Sequence, residues 1–268
     1  DDRAIFRDGQ YEAIESVFTH KRSLVVQRTG WGKSLVYFMS TKINRENGAG
    51  FTIVISPLLV LMKNQFEAAN KLGLNCCILN SETKDKRKID IEGIKRNQYD
   101  LVFITPETLF SNEIYNELPN FRIGLFVIDE AHCISDWGHD FRLEYCKLNQ
   151  VIKILPSQVP ILATTATANN RVVADLEKQL GSNVYISRGC LHRESLAIQV
   201  LRMKDKAERY AWILKNINSL PGSGIIYCLT TNDCDYLAEF LSKNGILAES
   251  YHASLEQDRC QEIEKRFY

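Results

Sequence analysis

Leu125-Phe126-Val127-Ile128-Asp129-Glu130-Ala131-His132 decides the reading of this chain. An apolar run ends abruptly in two carboxylates and a histidine. Continuous apolar runs mark strands buried on both faces of a parallel sheet, and in open α/β sheets ligand chemistry gathers at the carboxyl ends of the strands. Two acids at such a place are costly unless a cation or a reaction requires them. Far upstream lies Thr29-Gly30-Trp31-Gly32-Lys33-Ser34, a glycine turn ending in Lys-Ser. A phosphate loop together with an acid pair at a strand end implies a nucleoside triphosphate, Mg²⁺ and an activated water.

The same grammar extends in both directions. Candidate strands cover 24–26, 51–55, 74–79, 101–104, 125–128, 161–164 and 184–187, with helices such as 33–44, 58–72 and 169–180 between them. This alternation predicts an α/β protein with a parallel, doubly wound sheet. After Arg188-Gly189-Cys190-Leu191-His192-Arg193 the pattern restarts. Strands are expected at 197–201, 225–228 and 247–251, helices at 204–216, 232–244 and 254–267, and a turn at Pro221-Gly222-Ser223-Gly224. The expected organisation is one domain over 1–193 and a shorter, incomplete one over 194–268. The densest charged stretch, 84–96, reads as a solvated helix face with Ile89 and Ile94 turned inward, in preference to a nucleic-acid patch.

A length of 268 residues has room for two modest domains. The formal net charge of zero excludes a histone-like blanket of positive charge. It leaves open binding of nucleic acid through a local groove and backbone donors. The eight cysteines, Cys76, Cys77, Cys133, Cys146, Cys190, Cys228, Cys234 and Cys260, form no C-x-x-C pair, so no zinc site is expected. They read as buried, reduced thiols. No apolar run approaches the roughly 18 residues of a membrane span, and no signal-peptide pattern opens the chain. The expected location is the cytoplasm, around the nucleoid, in a bacterium and the nucleus in a eukaryote. The start at Asp1-Asp2, without methionine, suggests a trimmed polypeptide.

The phosphate-loop pattern is G-x-x-x-x-G-K-[ST]. Here the window runs from Gln27 through Arg28 to Ser34, and Gln27 replaces the first glycine. The mechanical parts remain. Gly30 and Gly32 let the backbone curl so that its N–H groups face phosphate oxygens. Lys33 is placed to reach the β- and γ-phosphates, Ser34 to ligate Mg²⁺, and the following helix points its positive end at the phosphates. Asp129 is read as holding the Mg²⁺ hydration shell and Glu130 as orienting or deprotonating the attacking water. His132 is read either as a reporter of γ-phosphate occupancy or as a local helix cap. The tail Cys133-Ile134-Ser135-Asp136-Trp137-Gly138-His139-Asp140-Phe141-Arg142 crowds aromatics and an arginine into a glycine-broken loop. Such a loop suits stacking on an unpaired base and gripping its phosphate. The alternative is that Trp137 and Phe141, four apart, pack into a helix core, a reading that Gly138 weakens.

These segments resemble, in order and spacing, the RecQ-type DNA helicases of helicase superfamily 2. The run DEAHCISDWGHDFRLEY from Asp129 to Tyr145 is similar to motif II and its aromatic-rich loop. Phe6-Arg7-Asp8-Gly9-Gln10 resembles the adenine-reading motif and Thr29–Ser34 motif I. Ile55 to Gln65 resembles motif Ia, Ile104-Thr105-Pro106-Glu107 motif Ib, and Ala163 to Ala168 motif III. Gly222 to Cys228 resembles motif IV, and Tyr251-His252-Ala253-Ser254-Leu255 the segment after it.

The resemblance implies two RecA-like lobes that close around ATP and Mg²⁺ and ratchet along single-stranded or forked DNA in the 3′-to-5′ direction, unwinding duplex in repair or recombination. Arg7 and Gln10 would read the adenine edge, since a glutamine amide pairs with both N6 and N7. Thr29, Gly30, Trp31, Gly32, Lys33 and Ser34 would hold the nucleotide. Trp137, Phe141 and Arg142 would sense single-stranded DNA, and Thr165 and Thr167 would link the ATP site to the DNA groove. Ser56, Lys63, Gln65, Thr105 and Glu107 would track the strand, joined by Thr230, Thr231 and His252 from the second lobe.

Departures stand beside the match. Arg28 and Trp31 replace small loop residues and are expected to alter nucleotide affinity or contact a neighbour. Arg3 stands where relatives carry an aromatic that stacks on adenine, and its guanidinium plane is expected to substitute. Motifs V and VI are expected beyond Tyr268, and motif VI carries an arginine worth roughly a thousandfold in rate. Zinc-binding and winged-helix modules often follow. The chain is therefore expected to be the N-terminal part of a longer helicase that binds ATP and DNA but by itself hydrolyses and unwinds poorly. An RNA helicase and a nucleotide-gated binding module remain the alternatives.

Overall fold

The expected apolar runs become a seven-stranded sheet in the order β3-β4-β2-β5-β6-β1-β7. The strands are β1 (Arg22–Val26), β2 (Phe51–Ile55), β3 (Cys76–Leu79), β4 (Leu101–Ile104), β5 (Ile123–Ile128), β6 (Ile161–Thr165) and β7 (Tyr185–Arg188). Every pairing is parallel. This computed structural model describes residues 5–83, 85–135, 142–181, 183–190 and 196–267. Two compact units, Asp1–Ser195 and Leu196–Tyr268, divide the chain.

In the first unit the helices are α1 (Gln10–Thr19), α2 (Lys33–Glu46), α3 (Leu59–Lys71), α4 (Arg87–Lys95), α5 (Pro106–Leu109), α6 (Asn112–Tyr115), α7 (Leu143–Cys146), α8 (Leu148–Ile154) and α9 (Asn170–Leu180). Successive strand side chains point to opposite faces, and the core divides accordingly. Val25, Val54, Val127 and Leu162 pack with Ala13, Ile14 and Val17 of α1, Val36 and Phe38 of α2 and Met62 of α3. Leu24, Val26, Ile53, Ile55, Phe126 and Ile128 pack with Val151 of α8 and Val172 and Leu176 of α9 on the other face. The strand order brings sequence-distant carboxyl ends together. Val26 of β1 lies beside Thr165 of β6, and Ile128 of β5 lies beside Ala163 of β6. The loops that leave β1 and β5 therefore open on the same edge, on either side of β6.

Three expectations are corrected. Ile89 of α4 is 73% exposed, while Ile91 and Ile94, three apart on one helix face, are buried. The thiols are not uniformly buried: Cys76, Cys77 and Cys133 are, Cys190 is exposed, and Cys146, Cys228, Cys234 and Cys260 are half-buried. Burial and the nearby Asp100 push the Cys76 thiol up to about 12.

The third correction concerns the second unit. Its helices α10 (Lys206–Asn216), α11 (Thr231–Lys243) and α12 (Gln257–Phe267) match the expected positions. Among its described residues, 197–201, 225–228 and 247–251 form no strand. Ile198, Tyr227 and Leu247 are each more than nine-tenths exposed. A parallel strand is held by ladders to its neighbours, and these short segments do not pair with one another.

Candidate functional site

The phosphate loop begins where β1 ends. Gly30 (φ 82) and Gly32 (φ 100) adopt left-handed backbone, which glycine enters without a Cβ penalty. A Cβ at Gly32 would also stand 2.5 Å from Gln10 Nε2. The loop then enters α2 with Lys33 and Ser34 in its first turn, the geometry in which backbone N–H groups and the helix dipole favour an anion.

The N-terminal segment grips this loop. Arg7 donates to the Gly30 carbonyl. Gln10 is buried, accepts from the Arg7 N–H at 2.8 Å and donates to the Trp31 carbonyl at 2.9 Å. The Trp31 indole is buried beside α1 and donates to the Asp8 carbonyl at 3.1 Å. Both ends of the Gln10 amide are engaged by protein, and the Trp31 side chain is core, so its contribution to a nucleotide site comes through the loop backbone. The apolar stripe Ala13, Ile14 and Val17 was the signal that α1 needed a large partner. Trp31→Phe is expected to cost about 1 kcal/mol, the worth of one hydrogen bond, and to weaken ATP binding several-fold. Urea melts and fluorescent-nucleotide titration check this; unchanged values in both would refute the clamp. Arg3 lies outside the described residues.

A chain of polar contacts joins the loop to the acid pair. Lys33 Nζ donates to the Gln27 carbonyl at 3.0 Å. The Gln27 N–H donates to the Thr165 carbonyl at 3.0 Å. Thr165 Oγ1 lies 3.1 Å from His132 Nδ1, and His132 Nδ1 lies 3.3 Å from Glu130 Oε2. His132 thus faces β6 and Glu130. Gln27 is itself buried, so the position of the missing first glycine is filled by a core side chain.

Asp129 is 4% exposed. Its Oδ1 accepts from Thr164 Oγ1 at 2.6 Å and from the Glu130 N–H at 3.0 Å. Its Oδ2 accepts from Gln65 Nε2 at 2.8 Å, and its carbonyl accepts from the Tyr145 hydroxyl at 3.0 Å. Burial pushes the Asp129 carboxyl up, and the Thr164 and Gln65 donors pull it back. Tyr37, fully buried on α2, has its phenol held well above the ordinary value by burial and then by the Asp129 charge. Glu130 sits at φ 48, a left-handed conformation that costs a non-glycine residue roughly 1–2 kcal/mol. The turn aims its side chain at His132. Ser34 and Asp129 together offer hydroxyl and carboxylate oxygens, the donor set suited to Mg²⁺. The sequence by itself assigns no role to Thr164 or Tyr145, although a buried tyrosine hydroxyl usually finds a partner.

The expected strand-tracking residues separate. Lys63 is exposed and pairs with Glu82 at 3.0 Å, Glu107 and Thr167 are exposed, and the Arg142 guanidinium donates to the Pro57 carbonyl at 2.9 Å. Ser56, Gln65, Thr105 and Thr165 are buried. Thr105 caps α5 by accepting from the Thr108 N–H. Burial turns these four toward the protein interior. In the second unit Thr230 caps α11, Thr231 is exposed, and His252 Nε2 lies 3.0 Å from Asp235. Trp137 and Phe141 lie outside the described residues. Among the described residues no helix is long and apolar enough to cross a membrane.

The chain is 35% identical to the ATP-dependent DNA helicase RecQ of Bacillus subtilis over 98% of its own length and 44% of that protein. It is 39% identical to the putative ATP-dependent DNA helicase Q1 of Caenorhabditis briggsae over 94% of its length and 42% of that protein. It thus spans less than half the length of either relative. Its fold is similar to that of S. cerevisiae Dbp5 bound to RNA and ADP BeF3, with a TM-score of 0.72 and 17% identity over 96% of this chain and 66% of that one. The Mycobacterium smegmatis helicase Lhr bound to ssDNA and AMP-PNP gives a TM-score of 0.66 and 17% identity over 96% of this chain and 37% of that one. The sequence profile described as DEAD/DEAH box helicase matches residues 7–176. That match runs from the segment gripping the phosphate loop to the middle of α9 and takes in every element that holds Asp129 and Glu130; the chain belongs to the DEAD/DEAH box helicase family.

Proposed function

We propose that this chain is the N-terminal part of the motor of a RecQ-type ATP-dependent DNA helicase. Residues 1–193 form the lobe that binds ATP, and residues 194–268 begin the second. The observation that carries the reading is the run of polar contacts Lys33–Gln27–Thr165–His132, hydrogen-bonded throughout, with Glu130 Oε2 3.3 Å from His132 Nδ1, which ties phosphate loop, β6 and acid pair into one unit. The similarity to RecQ-type helicases supports the choice of DNA.

Lys33 and the loop N–H groups take the phosphates, and Ser34 and Asp129 hold Mg²⁺, which neutralises charge on the transferring phosphoryl group when bound. Glu130 accepts the proton of the attacking water. Through its Thr165 contact, His132 relays the state of the site to β6 and Thr167. Arg7 and Gln10 favour adenine, Gln10 by ordering the loop in addition to any contact with the base. Lys63, Glu107, Arg142, Trp137 and Phe141 are assigned to contacts with single-stranded or forked DNA, as are Thr231 and His252. Translocation runs 3′ to 5′, in the service of repair or recombination. The polypeptide 1–268 alone binds ATP but hydrolyses it slowly, because the resemblance assigns none of its arginines to the transferring phosphate.

The test is ATPase activity of the full-length protein with no nucleic acid, with a single-stranded DNA oligonucleotide and with the matching RNA. DNA is expected to stimulate turnover at least tenfold more than RNA. Equal or greater stimulation by RNA would establish an RNA enzyme, and stimulation by neither would establish a nucleotide-gated binder.

A further inference from the structure

We propose that Gln65 is a positioning residue for the metal-binding carboxylate, through which helix α3 sets the orientation of Asp129; this rests on the nucleotide reading above. The resemblance places Gln65 with the residues that track a strand. The structure instead buries it and turns its amide away from solvent, with Nε2 donating to Asp129 Oδ2 at 2.8 Å.

The hydrogen bonds around Asp129 divide its atoms among different parts of the fold. Oδ1 is fixed by Thr164 of β6 and by the backbone of its own turn. The carbonyl is fixed by Tyr145 of α7. Among the described residues, Oδ2 receives its side-chain donor from α3, an element that carries no residue of the acid-pair turn. The terminal torsion of a carboxylate is broad and roughly two-fold, and both oxygens turn together about it, so donors on the two oxygens from different elements narrow its range; Gln65 is the side-chain donor on Oδ2. Its own Oε1 is buried and accepts no hydrogen bond from the described residues. The amide is thus held in place by what it gives to Asp129.

The start of α3 is also tied to the tail of the acid-pair loop. Arg142 donates to the carbonyl of Pro57, two residues before α3 begins. Leu58, Val60 and Leu61 follow and are exposed, and Lys63 reaches the surface. A ligand that shifts this end of α3 moves Gln65 along the helix axis, because a helix is stiff over the two turns between them. The Oδ2 contact then lengthens or tightens. Gln65 therefore couples the outer surface of α3 to the metal site without touching either ligand.

The experiment uses full-length protein and Mn²⁺ as the probe. Mn²⁺ affinity in the presence of ATP is read by electron paramagnetic resonance, and affinity for a fluorescent ATP analogue is read in the presence of a chelator. Gln65→Met keeps length and packing but removes the donor. It is expected to weaken Mn²⁺ binding about tenfold, the loss of one charge-assisted hydrogen bond, with metal-free nucleotide affinity within about twofold of wild type. Gln65→Asn keeps the amide but is one methylene short, and the same loss is expected. An oligo-dT strand is expected to change Mn²⁺ affinity in the wild type and not in either variant. A parallel loss of metal-bound and metal-free nucleotide affinity, or wild-type Mn²⁺ affinity in Gln65→Met, would overturn the proposal. Absence of ATP-dependent Mn²⁺ binding in the wild-type protein would instead overturn the nucleotide reading, and the proposal with it.

Discussion

Glu130→Gln is expected to lower the turnover of ATP by about a thousandfold, within the range measured for loss of a general base, while ATP affinity stays within about threefold of wild type. The substitution is isosteric, so the left-handed turn at residue 130 and the 3.3 Å approach to His132 Nδ1 survive. What changes is the chemistry. A carboxylate accepts a proton from water, and an amide oxygen does not at neutral pH. None of the groups that hold the phosphate loop touches Glu130: Arg7, Gln10 and Trp31 make their bonds elsewhere. Binding and turnover therefore separate. DNA-stimulated ATPase assays beside nucleotide titration decide the matter, and a fall in turnover of less than tenfold would remove Glu130 from its role.

Gly50→Ala should be among the most damaging changes to the fold, costing about 3 kcal/mol or more, at the upper end of overpacking effects. A Cβ at Gly50 would overlap the Arg122 carbonyl oxygen and carbon and stand 3.0 Å from the Gly124 nitrogen. These are backbone atoms of the entry to β5, so no side chain can rotate away. The Phe51 N–H donates to that same Arg122 carbonyl at 3.0 Å, and the strand register shifts there. Separating the chains to make room would break the first rung between β2 and β5, which lie at the centre of the sheet. Gly48→Ala is the control: its φ of 73 carries a left-handed penalty, but open space surrounds it. Its cost is expected to be only about 1 kcal/mol. Urea unfolding of both variants measures the difference, and equal stabilities would refute the steric account.

The apolar runs made the sheet legible because a parallel strand buried on both faces must be apolar throughout, and β2 and β4 are wholly buried. In the second unit the runs are equally apolar, yet composition specifies only that a segment can pair, not what pairs with it. Ile225 and Ile226 show the gap, being rich in strand propensity and exposed. At the site, Lys33, Asp129 and Glu130 stand out in the sequence because buried or clustered charge needs a chemical reason. Trp31 does not, since a tryptophan between two glycines reads as a ligand contact until α1 is known to cover it. Gln65 was misplaced for a related reason. An amide on an otherwise surface-seeking stretch shows which bonds it can make, but only the turn of α3 shows that its partner is a carboxylate 64 positions away.

The strand order has a consequence for how the protein comes into being. β1 is the first of the seven strands to leave a ribosome, yet its neighbours in the sheet are β6 and β7, whose residues run to Arg188. Until those strands emerge, the phosphate loop has no Thr165 carbonyl to hold Gln27 and no sheet to anchor α2. Contacts of such sequence separation form slowly, because loop closure must precede their reward. A nascent chain therefore acquires its grip on nucleotide in one late step, when the first unit closes, rather than gradually as its early segments appear. ATP itself would then favour completion of that step, since whatever binds only the folded form draws the chain toward it.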